Sequence, residues 1–196
     1  MKLKVGIDFD NTLINHGNSF FKEAKKEIKI IKVRKKNKEE IKEYIIKNYS
    51  NELWTKIQGT VYGSLNHSKP FNYSHKILNK LKEEFEFFLV SHKTTYPVVG
   101  RKKNLHKISK IWLKKNKFAY IDKSIFKSKN IFFETSIKKK ISRIRKIKCD
   151  IFIDDLKKIL KLLPSNIKKI HFVEKKVKTK YKKMISWKHF LNAIKN

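Results

Sequence analysis

The chain has 196 residues, with 50 Lys and Arg against 17 Asp and Glu and a formal charge of +33. That is room for one compact domain plus a modest insertion, with core enough to fold without a metal or disulfide staple. A single cysteine, Cys149, excludes an intrachain disulfide and a cysteine-based metal cluster, and no run approaches the ~20 apolar residues of a membrane helix.

The charge points first to nucleic acid. Only four of the cations are Arg, however (Arg34, Arg101, Arg143, Arg145), and guanidinium forks are the preferred readers of phosphates and guanine edges. Lys instead runs from end to end beside abundant Ile, Asn and Phe, which is the mark of AT-rich codon usage. The expectation is non-specific attraction to nucleic acid at low salt, with a cytoplasmic location and no membrane partner. The opening MKLKVGIDFDNTL is too short and too acidic for a signal segment.

In chain order, five apolar runs predict buried parallel strands: Leu3 to Asp8, Phe85 to Ser91, Asn130 to Phe133, Cys149 to Asp154, and Lys169 to Val173. Lys-rich segments with apolar residues at helical spacing alternate with them, as in Ile77, Leu78, Leu81, then Ile108, Ile111, Trp112, then Ile137, Ile141, Ile144. Alternation of this kind predicts an α/β domain on a parallel sheet. Between the first run and the helix leading to the second lies Ile14 to Asn72, far longer than the usual ~4–6-residue connection. We read residues 14–72 as a helical cap, and 1–13 with 73–196 as the core domain. Within the insertion, Asn37 and Glu40 have the spacing of a capping box ahead of a helix with Ile41, Tyr44 and Ile45 on its buried stripe.

Ligands of open parallel sheets bind beyond the carboxyl ends of the strands. Four of the chain's six aspartates fall there: Asp8 and Asp10 after the first run, Asp154 and Asp155 after the fourth. Paired acids repel unless a cation intervenes, and an all-oxygen donor set suits magnesium. A calcium loop of the EF-hand kind is excluded, because its sixth and twelfth positions would be Leu13 and Ser19 in place of Gly and Glu. Structural alternatives stand beside this: Asp10, Asn11 and Thr12 as a turn, and Asp154 and Asp155 as a helix cap. The second run ends at Ser91, whose hydroxyl can donate to a phosphoryl oxygen, followed by His92 and Lys93 as candidates to touch substrate.

An apolar strand closed by Asp8-Phe9-Asp10-Asn11-Thr12, a strand-terminal Ser91, a lysine, and a strand-terminal Asp154-Asp155, in that order, resembles the haloacid dehalogenase superfamily. The resemblance spans Leu3 to about Val173, and SHKT, FIDDL and the tail Ser186-Trp187-Lys188-His189-Phe190 are similar to bacterial members. It implies a Rossmann-like three-layer sandwich with five parallel strands in the order 3-2-1-4-5 and a small helical cap. It further implies Asp8 as the phosphoryl-accepting nucleophile, Asp10 as general acid and base, Thr12 as the brace of their loop, and Ser91 as the phosphate-binding hydroxyl. Asp155 is implied as a direct magnesium ligand and Asp154 as one acting through water, with Asp8 and the Asp10 carbonyl completing the set.

For the superfamily's lysine, Lys138, Lys139 and Lys140 compete on one helix. Lys140, one turn before Ile144, is the choice. The reaction expected is hydrolysis of a phosphomonoester, with a small phosphorylated metabolite (a sugar phosphate or nucleotide) as substrate and Trp54, Gln58 and Tyr62 of the insertion as specificity candidates. Two rivals are a nucleic-acid end phosphatase and a non-catalytic basic nucleic-acid-binding protein on the same fold. A phosphomutase would carry the same motifs, and the sequence sets no oligomeric state.

Overall fold

The computed structural model describes residues 2–34, 36–173 and 177–195. The chain runs through β1 (Leu3–Ile7), β2 (Ile14–Asn15), α1 (Gly17–Glu27), α2 (Lys38–Asn48), α3 (Asn51–Tyr62), β3 (Lys69–Pro70), α4 (Ser74–Leu81) and β4 (Phe85–His92). It continues with α5 (Leu105–Lys115), β5 (Ile131–Glu134), α6 (Ile137–Ile147), β6 (Ile151–Asp154), α7 (Lys157–Leu162), β7 (Lys168–Phe172), β8 (Lys182–Met184) and α8 (Phe190–Lys195). Two compact units result, one of Met1–Ile14, Pro70–Lys93 and Leu113–Asn196, the other of Asn15–Lys69 and Thr94–Trp112. No helix among the described residues is long and apolar enough to cross a membrane.

The first unit is built on a parallel sheet in the order β5-β4-β1-β6-β7-β8. The five expected strands therefore stand in the expected order, and a sixth is added at the edge beside β7. Its sequence, Lys182-Lys183-Met184, is two exposed lysines and one buried methionine, so no apolar run announces it. Alternation along β4 gives the sheet two buried faces. Phe88 and Val90 pack with Ile141 and Ile144 of α6 and Ile159 and Leu160 of α7, while Phe87 meets Phe126 and Phe190. The Rossmann-like three-layer architecture follows from helices on both faces of a sheet that is apolar on both.

The middle of the sheet is tight. A Cβ on Gly6 of β1 would run into the Phe152 ring on β6, so that position requires glycine. Cys149, just before β6, is buried in the same core, and burial pushes its thiol up to about 12.

The second unit is helical. Phe20 and Ala24 of α1, Ile41 and Ile45 of α2, and Trp54, Ile57 and Val61 of α3 form its core. Helix α2 begins where the capping-box spacing places it, with the Asn37 side chain accepting from the Glu40 amide at 2.9 Å. A Cβ on Gly59 of α3 would collide with the Val99 carbonyl, so glycine is what lets the 94–112 segment approach that helix.

Candidate active site

Three neighbouring strands bring the acidic and hydroxyl residues of the first unit together. β1 lies between β4 and β6, with Ile7 opposite Leu89 on one side and Ile153 on the other, so the chain passes from these strands into Asp8, Ser91 and Asp154 at one end of the sheet. The Asp8 amide donates to the Ile153 carbonyl at 3.0 Å, extending the β1–β6 ladder by one residue and fixing the Asp8 backbone.

Lys140 reaches the same end from α6. Ser136 caps that helix by accepting from the Lys139 amide, and Lys140 falls on its buried face with Ile141 and Ile144. The Lys140 Nζ donates to Asp8 Oδ1 at 2.5 Å and to Asp154 Oδ2 at 2.6 Å, with all three side chains almost wholly buried. Of the three sequence candidates, Lys140 is the one placed against the acids, while Lys139 bonds Thr135 at the surface. Asp154 is anchored further by the Leu156 amide, which donates to its Oδ1 at 2.8 Å.

The electrostatics of this cluster point to a cation. Burial is the largest influence on Asp8 and raises its carboxyl from 3.8 to about 7; Lys140 pulls the other way, while Asp154 and Asp10 add to the rise. Lys140 is held above its ordinary range: burial opposes its charge, and the two adjacent carboxylates more than offset that. Asp8, Asp154 and Asp155 each offer a carboxylate oxygen within 4.8 Å of the others. One ammonium faces three acids, and all the donors are hard oxygens, which is a set that fits magnesium.

Around this centre, Thr12 Oγ1 and Ser91 Oγ are buried and have no hydrogen-bond partner among the described residues. A buried hydroxyl without a partner is costly, so each is suited to bonding a ligand. Asp10 Oδ2 accepts from Lys93 Nζ at 2.7 Å. His92 is exposed, and its imidazole is lowered first by partial burial and then by the positive charge of Lys140. Asp8, Asp10, Thr12, Ser91, His92, Lys93, Asp154 and Asp155 thus lie at or just beyond strand ends of the first unit, and Lys140 joins them from α6 of the same unit.

Trp54, Gln58 and Tyr62 lie on α3 of the second unit. Trp54 is buried and stacks on Phe20 at 5.0 Å, and Tyr62 meets the edges of His16 and Phe20, so both aromatics contribute to packing there; Gln58 is half-buried.

Two residues enter that the sequence did not single out. His171, opposite Asp154 in the β6–β7 ladder, donates from Nε2 to the Asp155 carbonyl at 2.9 Å and so fixes the backbone of the second acid. Burial lowers its imidazole, while the bond to the Asp155 carbonyl acts in the opposite direction. Trp187 donates from its indole to the Thr12 carbonyl at 3.0 Å and holds the loop after Asp10 in place. A histidine in an apolar strand and a tryptophan in an amphipathic tail were the available signals, and both also read as ordinary core residues.

No family model matches the sequence, and no curated protein matches it. Solved structures do match it in fold. A haloacid dehalogenase-like hydrolase from Streptococcus pneumoniae is 10% identical with a TM-score of 0.62, over 98% of this chain and 98% of that one. The HAD-hydrolase YfnB from Bacillus subtilis, solved bound to magnesium, is 9% identical with a TM-score of 0.59, over 100% and 99% of the two chains. A HAD-superfamily hydrolase of subfamily IA from Geobacter sulfurreducens is 10% identical with a TM-score of 0.56, over 97% and 95%. At these identities the likeness is one of fold, and the fold of this chain is haloacid dehalogenase-like.

Proposed function

We propose that this chain of haloacid dehalogenase-like fold is a magnesium-dependent phosphomonoester hydrolase that works through a phospho-aspartate on Asp8. The observation that carries the reading is the Lys140 ammonium bound to both Asp8 and Asp154, with Asp155 alongside. Burying such a cluster contributes little or nothing to stability, and a phosphoryl group needs a nucleophile and positive charge in one place.

In the first half-reaction an Asp8 oxygen attacks phosphorus and the bond from phosphorus to the leaving oxygen breaks. The Asp10 carboxyl gives its proton to that oxygen, so the alcohol leaves neutral. In the second, the Asp10 carboxylate takes a proton from water as the water oxygen attacks phosphorus, releasing inorganic phosphate and the Asp8 carboxylate. Ser91 donates from its hydroxyl to a phosphoryl oxygen, Thr12 braces the loop, and Lys140 orients Asp8 and favours its ionised form against the burial that raises its carboxyl. Magnesium would be held by the carboxylates of Asp8 and Asp155 and the main-chain carbonyl of Asp10, with Asp154 acting through water, and would offset the charge on the phosphoryl oxygens.

The segment between the first two motifs is read as a cap, which favours small substrates such as sugar phosphates or mononucleotides over polymer ends. The charge of +33 supports one rival, removal of a terminal phosphate from nucleic acid. The test is hydrolysis of an aryl phosphate by the wild type and Asp8→Asn, with and without magnesium, followed by small phosphate esters and a terminally phosphorylated oligonucleotide. Metal-dependent turnover lost in the variant is the expected result. Equal background in both across all these esters would overturn the reading.

A further inference from the structure

Lys93 is the second buried lysine of the first unit, with 2% of its side chain exposed. Burying an ammonium is expensive unless it is paired and hydrogen-bonded, so a lysine in such a place needs a reason. Its Nζ lies 2.7 Å from Asp10 Oδ2 and 5.4 Å from the centroid of the Phe9 ring, so the residues on either side of the Phe9–Asp10 peptide both face the same cation. Its backbone is equally fixed, since the Lys93 amide donates to the Glu134 carbonyl at 2.8 Å, continuing the β4–β5 ladder past the His92–Glu134 pair.

Asp10 stands differently. It keeps 15% of its side chain exposed and sits at the start of a turn in which Asn11 takes a positive φ of 58° and the Asn11 amide donates to the Ile14 carbonyl at 2.8 Å. The Lys93 ammonium meets this carboxyl from the end of the neighbouring strand.

We propose that Lys93 is a positioning residue for Asp10, an inference that rests on the phosphotransfer reading above. In that reaction Asp10 serves two different oxygens in turn, giving a proton to the leaving alcohol and taking one from water. Lys93 transfers no proton. It holds the Asp10 carboxyl where both can be reached, from a side chain rigidly seated on the neighbouring strand end. Proximity of this kind is worth orders of magnitude in proton transfer.

The experiment compares wild type, Lys93→Met and Lys93→Arg in single-turnover release of alcohol from two esters, 4-nitrophenyl phosphate and a primary-alkyl phosphate. Nitrophenolate leaves without a proton, whereas an alkoxide needs one. Lys93→Met is expected to slow release from the alkyl ester by about 100-fold and from the aryl ester by less than about 10-fold, with Lys93→Arg recovering most of the difference. Equal losses on both esters would overturn the proposal and make Lys93 a phosphoryl-binding group. A second arm does not depend on activity: melting of metal-free Lys93→Met, Asp10→Asn and the double variant. Non-additive shifts, with the double variant melting above Lys93→Met, support the clamp, and additive shifts overturn it. Wild-type inactivity on both esters and on the wider panel above, beside a non-additive cycle, would sink the phosphotransfer reading and leave the clamp standing.

Discussion

The first unit buries ion pairs, and the second buries serine hydroxyls and a histidine. In the first, Lys140, Lys93, Asp8 and Asp154 are all buried; Lys140 meets Asp8 at 2.5 Å and Asp154 at 2.6 Å, and Lys93 meets the partly exposed Asp10 at 2.7 Å. In the second, the buried polar side chains are His16, Ser19, Ser68 and Ser109. His16 and Ser19 both bond the Ser68 hydroxyl at 2.8 Å, and Trp112 donates to the Ser68 carbonyl at 2.9 Å. Among its described residues, several lysines lie over aromatic rings instead, as Lys36 does 4.6 Å from the centroid of Phe21. Ion pairs in a core add little net stability, so the first unit carries a feature that packing alone would not select.

The largest test of that contrast is Lys140→Met, which leaves Asp8 and Asp154 facing each other without a cation. It is expected to destabilise the protein by about 3–5 kcal/mol in chemical unfolding and to abolish turnover of any phosphate ester. Next comes magnesium. Because the folded Asp8 carboxyl is raised from 3.8 to about 7, the unfolded chain ionises this group first; the stability it contributes in metal-free protein is present below about pH 4 and is lost as pH rises through 7. Magnesium bound as proposed would compete with that proton. The stabilisation on adding it is expected to grow as pH rises through 7, approaching about 2.7 kcal/mol at 100 times the dissociation constant. A metal response that is flat in pH would break the link to Asp8.

In the second unit, Ser68→Ala removes the hydroxyl shared by His16 and Ser19 and is expected to cost about 1–3 kcal/mol while leaving the magnesium response unchanged. The smallest effect belongs to Lys26→Ala, which breaks the exposed Lys26–Glu23 pair of α1 and is expected to shift stability by no more than about 0.5 kcal/mol.

Strands β1, β4, β5, β6 and β7 were legible in the sequence because each is an apolar run bounded by polar residues, and a strand buried on both faces must look like that. β8 was not, since an edge strand with one buried side chain carries no such run. The order of the motifs pointed to Asp8, Ser91, Asp154 and Asp155, and the helical turn from Lys140 to Ile144 distinguished that lysine from its neighbours because buried residues of a helix recur at that interval. What a local pattern cannot carry is a bond across 83 residues, such as Lys93 with Asp10, or the one from His171 to the Asp155 carbonyl. Both depend on which strands lie side by side.

Cys149 has a practical consequence. It is the chain's one thiol, lies in the core of the first unit, and has its pKa pushed up to about 12, so at neutral pH it is both hidden and protonated. A maleimide therefore finds it only when that core opens. Each labelled molecule records one opening, and the rate of labelling is a stopwatch for excursions of the first unit that needs no engineered probe and leaves the acids and lysines of the site untouched.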